Sequence, residues 1–134
     1  MDRTVPYPGI PELLGKLKAQ GVRMAVYSNK ADEFSRVLVE HYFPQMFDHI
    51  QGKLPGVPDK PDPTGVRQVM AALHASPAST LYVGDGDTDM ETAVNAGLTP
   101  CGVTWGFRSR ETLIAAGADS LVDTAQELAE KILG

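Results

Sequence analysis

Cysteine is almost absent from this sequence of 134 residues, since Cys101 is the only one. A single cysteine cannot form a disulfide within the chain and is typical of proteins from a reducing compartment. No apolar run approaches the ~20 residues that a membrane-spanning helix needs. The opening residues also lack the apolar segment of a signal peptide. These absences predict a cytoplasmic protein that has no membrane partner.

Clusters of basic residues are missing as well. The chain has 12 Lys and Arg against 17 Asp and Glu, which gives a formal net charge of −5. Surfaces that bind nucleic acid generally carry clustered basic side chains, so we expect no nucleic-acid partner. The length fits one domain over residues 1–134, without internal repeats or an interdomain linker.

Short apolar runs alternate with segments of helical periodicity along the whole chain. Strands are predicted at residues 22–27, 47–52, 80–83, 99–105 and 120–122, with amphipathic helices between them. The last helix begins with a capping box formed by Thr124 and Glu127. Alternating strands and helices predict an α/β, Rossmann-like three-layer sandwich with a mostly parallel sheet.

The most informative stretch is an apolar strand that ends in Gly84 and Asp85 and is followed by Asp87 and Asp89. Asp85 should lie at the carboxyl end of a parallel strand, where open α/β sheets bind ligands. Three acids so close together repel one another and persist most easily beside a cation, and carboxylate oxygens suit Mg²⁺. The alternative is that Asp87 or Asp89 only caps the following helix.

Two further polar sites lie where a strand ends or a helix begins. Ser28 offers a hydroxyl, and the amides of Asn29 and Lys30 lie near a helix N-terminus, which favours anions. Lys60 could neutralise a phosphoryl oxygen, although a lone loop lysine is more often solvated. Together with the acids after the third strand, these groups form a coherent set for phosphoryl transfer.

Three segments resemble motifs II, III and IV of the haloacid dehalogenase-like hydrolases: Ser28-Asn29-Lys30, Lys60-Pro61-Asp62-Pro63 and Gly84-Asp85-Gly86-Asp87-Thr88-Asp89. Three others are similar to the phosphoglycolate phosphatase branch: Tyr7-Pro8-Gly9-Ile10, Asn95-Ala96-Gly97 and Val103-Thr104-Trp105-Gly106. The resemblance implies a phosphomonoester hydrolase that uses Mg²⁺ and acts on a small phosphorylated metabolite.

The resemblance also implies a role for each matching residue. Ser28, Asn29 and Lys60 would bind the phosphoryl group, and Asp85 would ligate Mg²⁺. Asp89 would be the second acid of the metal site and would orient either the water ligands of the metal or Lys60. On this reading Lys60 and Asp89 belong to the catalytic set.

The sequence departs from the family at its first motif, an Asp-x-Asp-x-Thr segment whose first aspartate forms an aspartyl-phosphate. Asp2-Arg3-Thr4 is the nearest match, but no strand precedes it and the second aspartate is missing. The family's cap module is also absent. We therefore expect the C-terminal part of a phosphatase that is inactive alone. The alternative is a non-catalytic core that acts as a binding or assembly module.

In the family, the strand of the first motif lies between the strands that end here at Ser28 and Asp85. Without it these two strands must pair directly, a neighbouring chain must fill the slot, or a wet groove remains. Exposed strand edges favour intermolecular pairing, so a homodimer or strand-swapped assembly is one expectation. A phosphoacceptor receiver domain shares acids at a sheet edge, but its acid pair would lie near the N-terminus.

Overall fold

The structure is a computed structural model that describes residues 9–43, 46–60, 62–104 and 109–133. The helices are α1 (Ile10–Ala19), α2 (Asp32–Tyr42), α3 (Thr64–Leu73), α4 (Asp87–Ala96), α5 (Arg110–Ala115) and α6 (Ala125–Leu133). The strands are β1 (Ala25–Ala31), β2 (His49–Lys53), β3 (Leu81–Gly84), β4 (Thr99–Val103) and β5 (Ser120–Val122). Within these ranges no helix is long and apolar enough to cross a membrane.

All described strand pairs are parallel, which confirms the predicted α/β class. They form two sheets, however: β1 pairs with β2, and β3, β4 and β5 form a second sheet in that order. No strand pairing between β1 and β3 occurs within the described part of the chain. Of the three arrangements expected for these strands, direct pairing is therefore excluded.

Helices cover both faces of the strands and define two apolar cores. The first core joins α1 and α6 to β4 and β5, with Leu17, Cys101 and Leu128 among its buried residues. The second joins α3 to α4 and includes Val66 and Ala93. Because α1 packs on α6 and α3 packs on α4, the helices hold together the two sheets that backbone hydrogen bonds do not connect.

A cleft of about 1040 Å³ separates the two sheets. Residues 25–27 of β1 line one wall of this central cleft and residues 81–84 of β3 line the other. Every residue of β3 is at least partly exposed, whereas all but the first residue of its neighbour β4 are buried. If β1 and β3 were paired in one continuous sheet, β3 would lie nearer its centre than β4 and would be the better buried of the two. A groove between β1 and β3 is thus the arrangement that the structure shows.

The predicted bounds of the first strand were wrong at both ends. The ladder with β2 begins at Ala25 rather than at residue 22, because the Asp48 carboxylate accepts a hydrogen bond from the backbone N–H of Met24 just before β2 starts. The strand then continues to Ala31, so Ser28 lies inside it rather than after it.

The predicted capping box of the last helix is present. Thr124 Oγ1 accepts a hydrogen bond from the backbone N–H of Glu127, with a nitrogen–oxygen distance of 3.1 Å. The Glu127 carboxylate reaches back to the N–H of Asp123, at 2.6 Å, one residue earlier than in the usual box. These bonds fix the start of α6, whose Leu128 and Ala129 are buried in the first core.

Replacing the capping residue Thr124 should destabilise the protein without changing any candidate site residue. We expect Thr124→Ala to lower the free energy of unfolding by about 1 kcal/mol, because an N–H at the start of α6 loses its acceptor. Urea denaturation measures the change, and Thr124→Ser, which keeps the hydroxyl, serves as the control. Equal stability of the two variants would contradict a role for the cap.

Candidate functional site

The best-defined polar contact of the site joins Lys60 to Asp89. Lys60 lies in the loop between β2 and α3, and Asp89 lies in the first turn of α4. Lys60 Nζ is 2.8 Å from Asp89 Oδ1, and the two side chains are only 12% and 18% exposed. An ion pair this well covered is screened less by solvent than a surface pair. The pair therefore holds the ammonium group at a defined position.

A glycine lets Asp89 approach the end of β3. A Cβ atom built on Gly84 would lie 2.4 Å from Asp89 Cβ and 2.7 Å from Asp89 Cγ, far inside van der Waals contact. The absence of a side chain at residue 84 thus allows the first turn of α4 to pack on the strand end.

Two tyrosines surround this ion pair. Lys60 Nζ lies 5.5 Å from the centre of the Tyr27 ring, a cation–π distance. Tyr82, in β3, lines the same cleft as Lys60 and Asp89. Burial raises the pKa of Tyr82, and the negative charge of Asp89 raises it further. Burial and the charges of Asp59 and Asp62 raise the pKa of Tyr27. Both phenols therefore stay protonated at neutral pH.

A second glycine makes room for Tyr27. A Cβ atom on Gly65, in the first turn of α3, would lie 1.8 Å from the Tyr27 hydroxyl oxygen. The sequence analysis identified neither tyrosine nor this glycine as part of the site. The only sequence signal was the occurrence of a tyrosine in each of two short strands that end at polar motifs.

Asp85 follows β3 directly, as predicted, and is exposed. It lines the central cleft together with Lys60 and Asp89. It forms no hydrogen bond or ion pair with the residues that the structure describes. The capping alternative was wrong, because α4 starts at Asp87 and its N-cap is Gly86, with no side-chain capping bond.

The donor chemistry at this end of the cleft fits a magnesium ion. The described residues contain no group of three or more His, Cys, Asp or Glu side chains that could hold a metal. Asp85 and Asp89 nevertheless supply carboxylate oxygens, and Mg²⁺ is commonly held by one or two carboxylates while keeping several waters. A site with so few protein ligands would bind the ion weakly.

Ser28 lies in an irregular part of β1. Tyr27 pairs with Gln51 and Ala31 pairs with Lys53, so the three residues 28–30 of β1 stand opposite the single residue Gly52 of β2. Bulges of this kind redirect side chains and often occur beside active sites. Ser28 is half-buried. The side chain of Asn29 lies outside the described residues, so its predicted role stays a prediction. Asp2, the nearest match to the first motif, also lies outside them.

Asp32, the first residue of α2, anchors the end of β1 that follows this bulge. Its carboxylate accepts hydrogen bonds from Arg36 Nε, at 2.8 Å, and from the backbone N–H of Gly52, at 2.9 Å. The bond from Arg36, followed by that from Gly52, lowers the pKa of Asp32. These bonds tie the start of α2 to β2 and fix the far end of the bulge.

Comparison with known proteins places this geometry in a family. The model of the haloacid dehalogenase-like hydrolases matches residues 1–103. The chain is 30% identical over 127 residues to the phosphoglycolate phosphatase of Synechococcus elongatus, covering 94% of the chain and 58% of that protein. It is 37% identical over 105 residues to that of Aquifex aeolicus, covering 78% of the chain and 49% of that protein.

The solved structures show the same relationship. A provisionally named phosphoglycolate phosphatase from Lactobacillus delbrueckii subsp. bulgaricus superposes with a TM-score of 0.92 at 41% identity. The match covers 97% of this chain and 54% of that protein. The chain therefore spans about half the length of the relatives that it matches. The family model and these relatives show that the chain belongs to the haloacid dehalogenase-like hydrolases.

Proposed function

We propose that this chain supplies the phosphate-binding and metal-binding groups of a Mg²⁺-dependent phosphatase that acts on a small phosphorylated metabolite. The observation that carries the proposal is the ion pair between Lys60 and Asp89 at the carboxyl ends of β1 and β3. The relatives named phosphoglycolate phosphatase support the same reaction class. Cys101 is the single cysteine, and a lone cysteine is typical of a reducing compartment, which supports a cytoplasmic location.

Each side chain has a definite task in this proposal. Lys60 neutralises a phosphoryl oxygen, while Asp89 and the ring of Tyr27 hold its ammonium group in place. The Ser28 hydroxyl and the backbone amides of the bulge donate hydrogen bonds to the same phosphoryl group. Asp85 and Asp89 would hold Mg²⁺, which when bound supplies positive charge that offsets the charge of the phosphate.

The nucleophile is the missing part. The sequence has no Asp-x-Asp-x-Thr segment of the kind that forms the aspartyl-phosphate in this family. Asp85 and Asp89 belong to the proposed metal site, so neither is assigned to attack the phosphorus atom. These 134 residues would then bind a phosphate monoester without hydrolysing it. A non-catalytic binding or assembly module is the second candidate, and the open central cleft favours it.

A phosphatase assay tests the missing nucleophile. We expect the purified chain to release no more phosphate from p-nitrophenyl phosphate with Mg²⁺ than its Asp85→Asn variant does. Release of p-nitrophenolate measured at 405 nm reports the rate. Turnover that Asp85→Asn abolishes would contradict the proposal and would require a nucleophile within these residues.

Anion binding tests the role of Lys60 independently of turnover. We expect Lys60→Met to weaken orthophosphate binding about tenfold or more, because a charge-assisted hydrogen bond to a phosphate oxygen contributes ~1.5–3 kcal/mol. Titration calorimetry with inorganic phosphate in the presence of Mg²⁺ measures the dissociation constant.

Lys53→Met is the matched control, because Lys53 pairs with Asp59 near the same loop and is 40% exposed. It removes the same charge and should change the dissociation constant less than about twofold. Equal weakening by the two variants would show that only the overall charge matters. That result would remove Lys60 from the binding site.

Two glycine substitutions with opposite expected effects on stability test the packing of Asp89. We expect Gly84→Ala to destabilise the chain by about 1–3 kcal/mol and to weaken phosphate binding, because the new Cβ displaces Asp89. Gly15→Ala is the control: Gly15 lies in α1, and a Cβ there meets no atom within 4 Å. It should raise stability by up to about 1 kcal/mol and leave phosphate binding unchanged. Urea denaturation and calorimetry give both quantities.

A further inference from the structure

The two elements that the proposed function assigns to phosphate binding start close to one another in the fold. The bulge at residues 28–30 includes Ser28 and comes just before Asp32, because β1 runs directly into α2. The loop that carries Lys60 follows β2, which ends at Lys53. The relative position of bulge and loop decides whether a hydroxyl and an ammonium group can reach the same phosphoryl group.

A side-chain hydrogen bond joins the bulge and the loop at their bases. Asp32 Oδ1 accepts from the backbone N–H of Gly52, with a nitrogen–oxygen distance of 2.9 Å. Gly52 is buried, stands opposite the three residues of the bulge and precedes the last residue of β2. The Asp32 side chain is only 19% exposed, so water competes little for the bond. The bond therefore holds the end of the bulge against the start of the loop.

The second oxygen of the same carboxylate is also engaged within the chain. Asp32 Oδ2 accepts from Arg36 Nε at 2.8 Å, and the Arg36 side chain is 52% exposed. The bond from Arg36 and then that from Gly52 lower the pKa of Asp32, so the group is charged at neutral pH. A carboxylate repels phosphate. The presence of Asp32 beside the bulge is thus explained by the N–H that it holds rather than by contact with the ligand.

We propose that Asp32 is a positioning residue for phosphate, because its bond to the Gly52 N–H sets the distance between the bulge and the loop that carries Lys60. The inference rests on the proposed function, since it concerns the same phosphate site. Hydrogen bonds weaken steeply with poor distance and angle, so a small displacement of either element costs a phosphate contact. A second link joins Lys60 to the ring of Tyr27. Tyr27 precedes the bulge and Asp32 follows it, so the two links bracket the bulge.

Two substitutions of Asp32 separate the hydrogen bond from the charge. Asp32→Ala removes the acceptor of a buried N–H and should weaken binding of inorganic phosphate at least about fivefold. Asp32→Asn keeps an acceptor oxygen and removes a negative charge. Its phosphate binding should equal that of the parent or be slightly tighter, because the lost charge repels phosphate. Titration calorimetry in the presence of Mg²⁺ measures the dissociation constants.

Two control variants test whether global stability or the ion pair explains the loss. Thr124→Ala weakens the cap of α6, a helix that contributes no residue to the phosphate site, and should leave the dissociation constant unchanged. Arg36→Gln removes the bond to Oδ2 but not the bond from Gly52, and should change the constant less than about twofold. Circular dichroism checks that each variant folds. If Asp32→Ala does not fold, Asp32→Glu replaces it: its longer side chain moves the acceptor and should weaken binding at least about threefold.

Amide hydrogen exchange gives a readout that needs no phosphate. Asp32→Ala should speed exchange at Gly52 and at residues 28–30 at least about tenfold, because local opening becomes easier there. Exchange in β4, most of which is buried, should stay unchanged and serves as the internal control.

A double-mutant cycle tests whether Asp32 acts through the geometry of the site. In a Lys60→Met background, Asp32→Ala should weaken phosphate binding less than it does in the parent, because the distance that it sets no longer matters. Full additivity of the two substitutions would contradict this coupling.

Three results would overturn the positioning role while leaving the proposed function intact. The first is equal phosphate binding by Asp32→Ala and the parent, and the second is equal weakening by Asp32→Ala and Asp32→Asn. The third is equal weakening by Thr124→Ala, which would assign the loss to global stability. A parent chain that binds no phosphate would instead overturn the proposed function and the positioning role with it.

Discussion

Hydrogen bonding between neighbouring strand edges is the constraint on which the rest of this structure depends. In a parallel α/β fold, the inner strands are bonded on both sides and are the best buried. Here β1 and β3 are bonded on one side only, and the exposure of Val83 shows the consequence. The described part of the chain consists of two small parallel sheets that share helical layers.

The contacts between the two halves are made by side chains. On one face α1 packs on α6, and on the other α3 packs on α4. At the carboxyl end of the strands, Lys60 from the first half reaches Asp89 in the second, at 2.8 Å. The same ion pair therefore closes the end of the cleft and sets the position of the group that we propose binds phosphate. The ion pair thus contributes both to the contact between the two halves and to the proposed phosphate site.

Much of this arrangement was predictable, for physical reasons. Parallel strands bring their carboxyl ends to one edge, so Asp85 and the segment from Ser28 to Lys30 were expected there. The strand at residues 120–122 was predicted with its observed bounds, because the short apolar run of Leu121 and Val122 lies between a glycine-containing turn and a capping box. The contact between Lys60 and Asp89 was one of two arrangements that the family resemblance implied for Asp89.

Other features depend on distances that sequence patterns do not contain. Tyr82 could not be distinguished from an ordinary strand residue until its phenol was seen beside Asp89. The need for glycine at residues 65 and 84 follows from contacts with Tyr27 and Asp89, which are distant in the sequence or in a different element. The start of β1 depends on Asp48, whose carboxylate bonds to Met24 before the ladder begins.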